Sequence, residues 1–140
     1  MKIQDIEPNV LELKQYFTQT KNPICVITVN KEKSQLKLIK KLKGLKEHIK
    51  LLIIVEKENN DINDLYMLVW RVVNNIDASR DVVLKPFIAV DATNKSEIDG
   101  FKREWPGDTF CTKEVLDRLQ EKGLIDIDEN FVKRFGLLPF

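Results

Sequence analysis

The chain has 140 residues, of which 43% are hydrophobic and 32% charged, a composition typical of one globular domain that can bury a core. No apolar run approaches a membrane span in length, residues 1–8 lack the layout of a signal peptide, and two cysteines make no disulfide framework, so we expect a cytoplasmic protein. The net charge is +1, but residues 1–50 hold eleven lysines against five acidic residues.

The first predicted element is a short helix over residues 10–18, with Asn9 as its N-cap. Its apolar residues recur at helical spacing: Val10, Leu13 and Phe17. Residues 1–22 are therefore interpreted as a leading helix and a linker. A continuously apolar, β-branched run over residues 24–29 follows and predicts a buried strand.

The next segment, from Lys31 to Lys50, predicts an amphipathic helix that Ser34 can cap. Its lysines would lie on the solvated face. A nucleic-acid-binding patch is the alternative interpretation, but no aromatic side chains alternate with the lysines as stacking platforms. His48, the only histidine, lies among these lysines and is not expected to be catalytic.

Two more strands complete the predicted sheet, with a helix between them. Residues 51–55 form a second buried strand, and Asn63 can cap the helix after it. The side of this helix expected to be buried comprises Leu65, Leu68, Val69, Val72 and Ile76. Residues 82–90 predict a third strand, which Pro86 places at an edge or a bulge. This alternation predicts an α/β fold over residues 1–140, with a mainly parallel sheet, right-handed crossover helices and three layers.

The remainder of the chain, residues 107–140, predicts a helical extension of the same domain. Thr112 and Asp128 can each cap a helix, and Gly123 suits the end of the first one. The next helix would carry Phe131 and Phe135 on one face, and Gly136 would end it. The last four residues are apolar, which predicts docking onto the domain's own core or onto a neighbouring subunit.

The most informative stretch lies between residues 88 and 106. An apolar strand end runs directly into a polar group that comprises Asp91, Thr93, Asn94 and Lys95. A second cluster, Arg103, Glu104 and Trp105, follows within one short loop. Since loops favour small polar residues, these three side chains next to Pro106 predict a fixed, partly buried corner.

Three residues of this stretch are candidates for chemistry: Asp91, Lys95 and Arg103. Arg103 with Glu104 can form an acid–base or ion-pair unit. The favoured interpretation is a structural corner in which the Arg103 guanidinium bonds a carboxylate or carbonyls and Trp105 is a hydrophobic plug. Lys95 can reach an anion, and Asp91 with Thr93 can turn the chain after the strand. No nucleophile elbow, phosphate loop or metal-ligand spacing occurs, so we predict no catalytic residue and no metal site in this chain.

The motifs resemble those of the C-terminal domain of the UbiD family of decarboxylases. That family carries a Gly-x-Asp-Ala-Thr-x-Lys segment followed by Arg-Glu-Trp and, upstream, a helical Trp that leads into Asp-Pro-x-Arg-Asp. The matching residues here are Trp70, Asp77, Arg80, Asp81, Asp91, Thr93, Lys95, Arg103, Glu104 and Trp105. The resemblance covers the chain from about Cys25 to Trp105 and implies a structural or interdomain role for these ten residues.

The chain departs from the family pattern at several positions. Ala89 stands where relatives have glycine, Ala78 where they have proline, and Asn75 where they often have arginine. The segment between Asp81 and Asp91 is too short for a loop that relatives insert there. Any contact that this loop makes in relatives is expected to be missing here.

The resemblance implies a parent enzyme that depends on prenylated FMN and a divalent metal, Mn2+. In the family the cofactor, the metal and a catalytic Arg/Glu set belong to the larger N-terminal part, so this chain would bind no cofactor and catalyse nothing alone. Its partners would be that catalytic domain and, through the C-terminal region, other copies of the protein. The parent would remove CO2 from an aromatic acid in menaquinone or ubiquinone biosynthesis.

Two other hypotheses remain beside this one. The chain can be a free-standing α/β interaction module whose Lys-rich helix binds an acidic partner or nucleic acid. It can also be a small enzyme that uses Asp91, Lys95 and Arg103. An open reading frame that continues upstream of Met1 into a flavin-binding domain would favour the decarboxylase hypothesis.

Overall fold

The computed structural model describes residue 3 and residues 7–58, 60–107 and 111–134. The chain divides into two compact units, Met1–Trp105 and Pro106–Phe140. The first unit contains the sheet and the motif residues, and the second contains two helices.

The first unit is built on a five-stranded sheet. Its strands, in chain order, are β1 (Val10–Tyr16), β2 (Ile24–Val29), β3 (Leu51–Glu56), β4 (Val82–Val83) and β5 (Ile88–Asp91). Their order across the sheet is β1-β2-β3-β5-β4. The inner strands β2, β3 and β5 are parallel, whereas β1 and β4 pair antiparallel at the two edges. The predicted α/β fold with a mainly parallel sheet is thus confirmed.

The prediction of a leading helix over residues 10–18 is wrong, because this segment forms strand β1. Tyr16 pairs with Ile24 and Gln15 with Cys25, and the register shifts at a bulge between Val10 and Glu12. The segment carries apolar residues at both helical and alternating spacings, and pairing with the free edge of β2 decides between them.

One face of the sheet is covered by helix α1 (Gln35–Lys41) and the 3-10 turn Leu42–Leu45 that follows it. Leu38, Ile39 and Leu42 pack there against strand side chains that include Ile27 and Ile54. The observed helix and turn therefore occupy only the middle of the segment from Lys31 to Lys50. Ser34 occupies its N-cap position without a side-chain hydrogen bond to the helix. The lysines of α1 and of the turn lie in solvent: Lys37, Lys40, Lys41 and Lys43.

The other face is covered by helix α2 (Leu65–Asn75), so the domain has the three layers that the sequence predicts. Leu68 and Val72 pack against Val26 and Val55 of the sheet. The N-cap is Asp64 and not Asn63, because the Asp64 carboxylate accepts the Met67 N–H at 3.1 Å.

The predicted third strand is in fact a hairpin. A single turn of helix, α3 (Ala78–Asp81), leads into the two-residue edge strand β4, and β5 returns beside it. Pro86 lies in the connection, where its missing N–H interrupts no ladder. This arrangement places the end of α3 and the end of β5 close together.

The second unit contains helices α4 (Lys113–Glu121) and α5 (Glu129–Arg134). Thr112 lies at the N-cap of α4, and Gly123 ends the helix with a φ of 65°, a conformation that favours glycine. Asp128 accepts the Phe131 N–H at 2.7 Å at the start of α5, as predicted. The predictions for Phe135, Gly136 and the apolar residues 137–140 lie outside the described residues. Among the described residues no helix is long and apolar enough to span a membrane.

Candidate functional site: a buried ionic cluster at the carboxyl end of the sheet

The Asp-Ala-Thr-x-Lys motif folds into a buried cluster where β5 ends. Asp91 is the last residue of β5, and Asp81 is the last residue of α3. The cluster comprises Asp81, Asp91, Thr93 and Lys95, and all four residues are buried. We call it the Lys95 cluster. Polar groups concentrate here because the carboxyl ends of parallel strands open onto loops.

Lys95 lies at its centre, and its side chain is 1% exposed. The ammonium group donates to the Asp91 carbonyl at 2.8 Å and to the Thr93 carbonyl at 2.5 Å. It also lies 3.4 Å from a carboxylate oxygen of Asp91 and 3.7 Å from one of Asp81. A buried charge is tolerated only when it is paired and hydrogen-bonded, and these contacts meet that condition.

Asp91 and Thr93 turn the chain after β5. One Asp91 oxygen, Oδ1, accepts both the Thr93 N–H at 3.1 Å and the Thr93 hydroxyl at 2.6 Å. This is the local side-chain-to-backbone bonding that Asp favours at turns. The turn directs the Asp91 and Thr93 carbonyls toward Lys95, so the three residues fix one another.

Asp81 brings α3 to the same place. Arg80 donates to it in bidentate fashion, from Nε and Nη2, each at 2.7 Å. The Asp77 N–H donates to Asp81 at 2.8 Å, and the Asp77 carboxylate in turn accepts the Ser79 N–H at 2.9 Å. The Asp77-to-Asp81 motif is therefore a capped helical turn that presents one buried carboxylate.

Burial and neighbouring charges shift the pKa values of both Asp81 and Lys95. Burial alone would raise the pKa of Asp81, but the hydrogen bonds from Arg80 and from the Asp77 N–H, with the charge of Lys95, hold that pKa below its usual value. Burial lowers the pKa of Lys95, and the nearby carboxylates of Asp91 and Asp81 oppose this shift. The cluster is organised around an ionised Asp81.

Aromatic rings cover the outer side of the cluster. Phe101 and Trp105 meet edge to face, with ring centroids 5.2 Å apart. The Arg80 guanidinium lies 5.5 Å from the Phe101 centroid and 5.7 Å from the Trp105 centroid, and Lys95 Nζ lies 5.8 Å from the latter. Trp105 thus shields the cations on this side of the cluster.

The predicted corner is only partly present. Trp105 is half-buried, but Arg103 and Glu104 are exposed. Arg103 lies over Phe101 at 5.5 Å, and no ion pair of Arg103 with Glu104 occurs in the described part of the chain. Of these three residues, the backbone turns the Trp105 ring inward and leaves Arg103 and Glu104 in solvent. Trp70 lies apart from these residues, half-buried on α2 with the Arg71 guanidinium 5.3 Å from its ring.

Sequence reasoning missed three residues that extend the cluster. Lys31, just beyond β2, forms an ion pair of 2.6 Å with Asp99, both side chains being 7% exposed, and it also donates to the Asn94 carbonyl. Asn75 at the end of α2 donates to the Ala92 carbonyl at 3.2 Å. Lys31 could have been found from its position, because it follows a parallel strand as Asp91 does.

This arrangement can hold loops together but leaves little room for substrate. The Lys95 ammonium is enclosed and bonds to backbone carbonyls, so it cannot reach an outside anion. Asp91 and Arg103, the other candidates for chemistry, lie in different surroundings, one buried and one exposed. Across the described ranges no group of three or more His, Cys, Asp or Glu side chains could hold a metal ion.

A family profile and two relatives match most of this chain. Residues 2–117 match the sequence profile described as the 3-octaprenyl-4-hydroxybenzoate carboxy-lyase C-terminal domain, UbiD_C. Uncharacterized proteins from two Helicobacter pylori strains, J99 and 26695, are each 47% identical over 137 residues. The match covers 96% of this chain but 22% of each relative, so the chain spans about a fifth of their length.

Solved structures share the fold. The vanillic acid decarboxylase of Sedimentibacter hydroxybenzoicus in its closed form aligns with a TM-score of 0.57 at 17% identity, over 89% of this chain and 30% of that chain. An evolved dimeric form of the UbiD-class enzyme HmfF from Pelotomaculum thermopropionicum, in complex with prFMN, aligns with a TM-score of 0.51 at 19% identity, over 74% of this chain and 25% of that chain.

Proposed function

Because the chain belongs to the family of UbiD C-terminal domains, we propose that it is the non-catalytic packing and assembly domain of a UbiD-like decarboxylase. The observation that carries this proposal is the family match over residues 2–117, which includes every motif residue of the Lys95 cluster. The enclosed position of Lys95 supports a structural role for that cluster and not a catalytic one.

The Lys95 cluster would make the carboxyl end of the sheet rigid. It joins α3 to the loop after β5 through charges that are costly to separate. A rigid domain suits hinge motion about a linker, in which the domain forms one wall of a cleft and moves as a body. The vanillic acid decarboxylase has been solved in open and closed forms, which supports such a motion in the parent of this chain.

The parent would remove CO2 from an aromatic acid, and quinone biosynthesis is the proposed pathway. The description of the family profile, which refers to a prenylated hydroxybenzoate, supports this substrate class. Prenylated FMN and Mn2+ would be bound by the catalytic part of the parent. HmfF was solved with prFMN, which supports a flavin-dependent parent.

Two further parts of the proposal concern assembly and location. HmfF was solved in an evolved dimeric form, which supports a homo-oligomeric parent. That the C-terminal region takes part in the subunit contacts is a further part of the proposal. The proposed location of the parent is the cytoplasm.

A chimera tests the proposed function directly. This chain would replace the matched 137 residues of a Helicobacter pylori relative, to which it is 47% identical. We expect the chimera, loaded with prenylated FMN and Mn2+, to decarboxylate at least one hydroxybenzoate or naphthoate acid, and the 140-residue chain alone to release no CO2. Turnover by the chain alone, abolished by Asp91→Ala, would instead support the small-enzyme hypothesis.

A further inference from the structure

Helix α2 has an unusual outer surface. Its single ionisable residue among Leu65–Asn75 is Arg71, apart from the phenol of Tyr66, and Arg71 is 4% exposed. The exposed positions are instead largely apolar, with Tyr66 at 57%, Val69 at 54% and Val73 at 65% exposure. A helix that is apolar around most of its circumference is normally buried. Among the described residues of the first unit, those that cover this helix lie on its sheet side.

The contacts of Arg71 indicate the direction in which the exposed apolar side of α2 points. Its guanidinium donates to Asn60 at 3.3 Å, and Asn60 donates to the carbonyl of Glu56, the last residue of β3. The Arg71 side of α2 therefore faces the carboxyl end of the sheet. Val69 and Val73 lie on the opposite side of the helix, at helical spacing, and so face away from the carboxyl end of the sheet.

The sheet face that carries α2 is itself incompletely covered. Alternation along β3 and β5 places Leu51, Ile53, Ile88 and Val90 on the same face as α2, since Leu52 and Ala89 belong to the core on the other face. Ile88 is 46% exposed, and the other three are half-buried. Ile88 and Val90 thus continue the apolar surface of α2 across the sheet.

We propose that this combined surface, the α2 flank surface formed by Leu65, Val69, Val73, Ile53, Ile88 and Val90, docks an apolar segment from the remainder of the parent protein. The inference rests on the proposed function, because that function supplies the remainder. The surface carries no charge, so a segment with an apolar face suits it. An exposed patch of this kind is rare in a protein that functions as a free monomer.

The relatives supply the occupant. The matched region is 22% of each Helicobacter pylori relative, so most of the relative's chain lies outside the part that this chain represents. That larger part has to contact the domain somewhere. The carboxyl end of the sheet presents charges that pair within the domain, whereas the α2 flank surface presents apolar groups that the described part of the first unit leaves exposed.

Thiol labelling can measure this docking. Val73→Cys would be made in a Cys111→Ser background, which removes the exposed native thiol. Cys25 stays unlabelled because it is 3% exposed and burial raises its pKa to about 11. Labelling rates with a maleimide are compared between the 140-residue chain and the chimera. Leu36→Cys on α1, at 49% exposure, is the matched control on the other face of the sheet.

We expect Val73→Cys to be labelled about tenfold more slowly in the chimera than in the isolated chain, and Leu36→Cys at similar rates in both. Equal rates at Val73→Cys in the two proteins would overturn the proposal. Labelling of the isolated chain that slows with rising protein concentration would assign the surface to a second copy, and labelling that accelerates when residues 137–140 are deleted would assign it to this chain's own tail.

Two features keep the test decisive. If the chimera is insoluble, the same comparison can be made in the full-length Helicobacter pylori relative and its excised domain, at the position aligned with Val73. The readout is also independent of turnover. Protection in an inactive chimera would support the docking surface while contradicting the proposed function, and turnover without protection would do the reverse.

Discussion

The carboxyl end of the parallel sheet and the α2 flank surface are built in opposite ways. At the carboxyl end, the Lys95 cluster buries charged groups that find their partners within the domain. Away from that end, on the α2 face, the α2 flank surface is uncharged and apolar, and four of its six residues are exposed. The residues that resemble an active site in the sequence thus form a closed structural unit. The surface without any motif is the one that is available for a partner.

The largest expected effect is at the centre of the closed end. Lys95→Met should lower the free energy of unfolding by about 3–5 kcal/mol, because it leaves buried carboxylates without their cation. Lys113→Met is the matched control, since Lys113 pairs with Asp117 at 2.8 Å in solvent, and it should leave the urea midpoint nearly unchanged. Urea unfolding measures both. Equal losses in the two variants would mean that Lys95 is not the internal link that its contacts indicate.

A second test uses acid. The pKa of Asp81 is lowered in the folded state, so its contribution to stability is present above the unfolded pKa of about 3.9 and is lost as pH falls through the folded pKa. Asp81→Asn should therefore cost about 2 kcal/mol at neutral pH, and the gap to the unmodified chain should close as pH falls below 4. Unfolding curves at several pH values measure the gap. A gap that is constant with pH would contradict an ionised, hydrogen-bonded Asp81.

The aromatic cover should contribute less. Trp105→Ala is expected to cost about 2 kcal/mol, below the range for a fully buried Trp, because the ring is half-buried and covers cations. Arg103→Ala, next to it and exposed, should change the denaturation midpoint little. If Arg103→Ala proves as damaging as Trp105→Ala, the corner is held by a contact of Arg103 that the fold of this chain does not account for.

The smallest effect is expected on the α2 flank surface. Val73→Glu in the isolated chain should change the free energy of unfolding by less than about 0.5 kcal/mol, because the side chain is 65% exposed and contributes little to the core. Thermal melting of the isolated chain measures this directly. A loss of several degrees would place Val73 in the core and erase the contrast between the two regions.

Much of the fold follows from the sequence because strong apolar periodicity survives tertiary context. Strands β2 and β3 and helix α2 lie where their patterns predict. The predicted caps of the helices that do form are correct to within one residue, whereas Asn9 was assigned as the cap of a segment that is a strand. Strand β1 was not predictable, because its apolar residues fit two periods and the free edge of β2 selected one. The hairpin of β4 and β5 was hidden for a similar reason, since Pro86 marks an interruption but not a reversal.

The sequence was a better guide to which residues form the cluster than to the contacts they make. Asp81, Asp91, Thr93 and Lys95 do meet, and sequence spacing cannot show that Lys95 donates to backbone carbonyls. The burial of individual side chains was harder to predict. The apolar stripe of α2 was expected to be buried throughout, including Val69, yet Val69 is 54% exposed. A pattern gives the width of an apolar stripe, but only packing shows how much of it the same domain covers.

The edges of the sheet bear on how the domain behaves at high concentration. An edge strand offers unpaired backbone groups to other molecules, and long, flat, uncharged edges lead to aggregation. Here β4 is two residues long, too short to template a partner strand. The longer edge, β1, carries Glu12 and Lys14 and a break in register near its start. The domain can therefore leave an apolar flank open for a partner without offering a strand for intermolecular pairing, which separates docking from fibre formation.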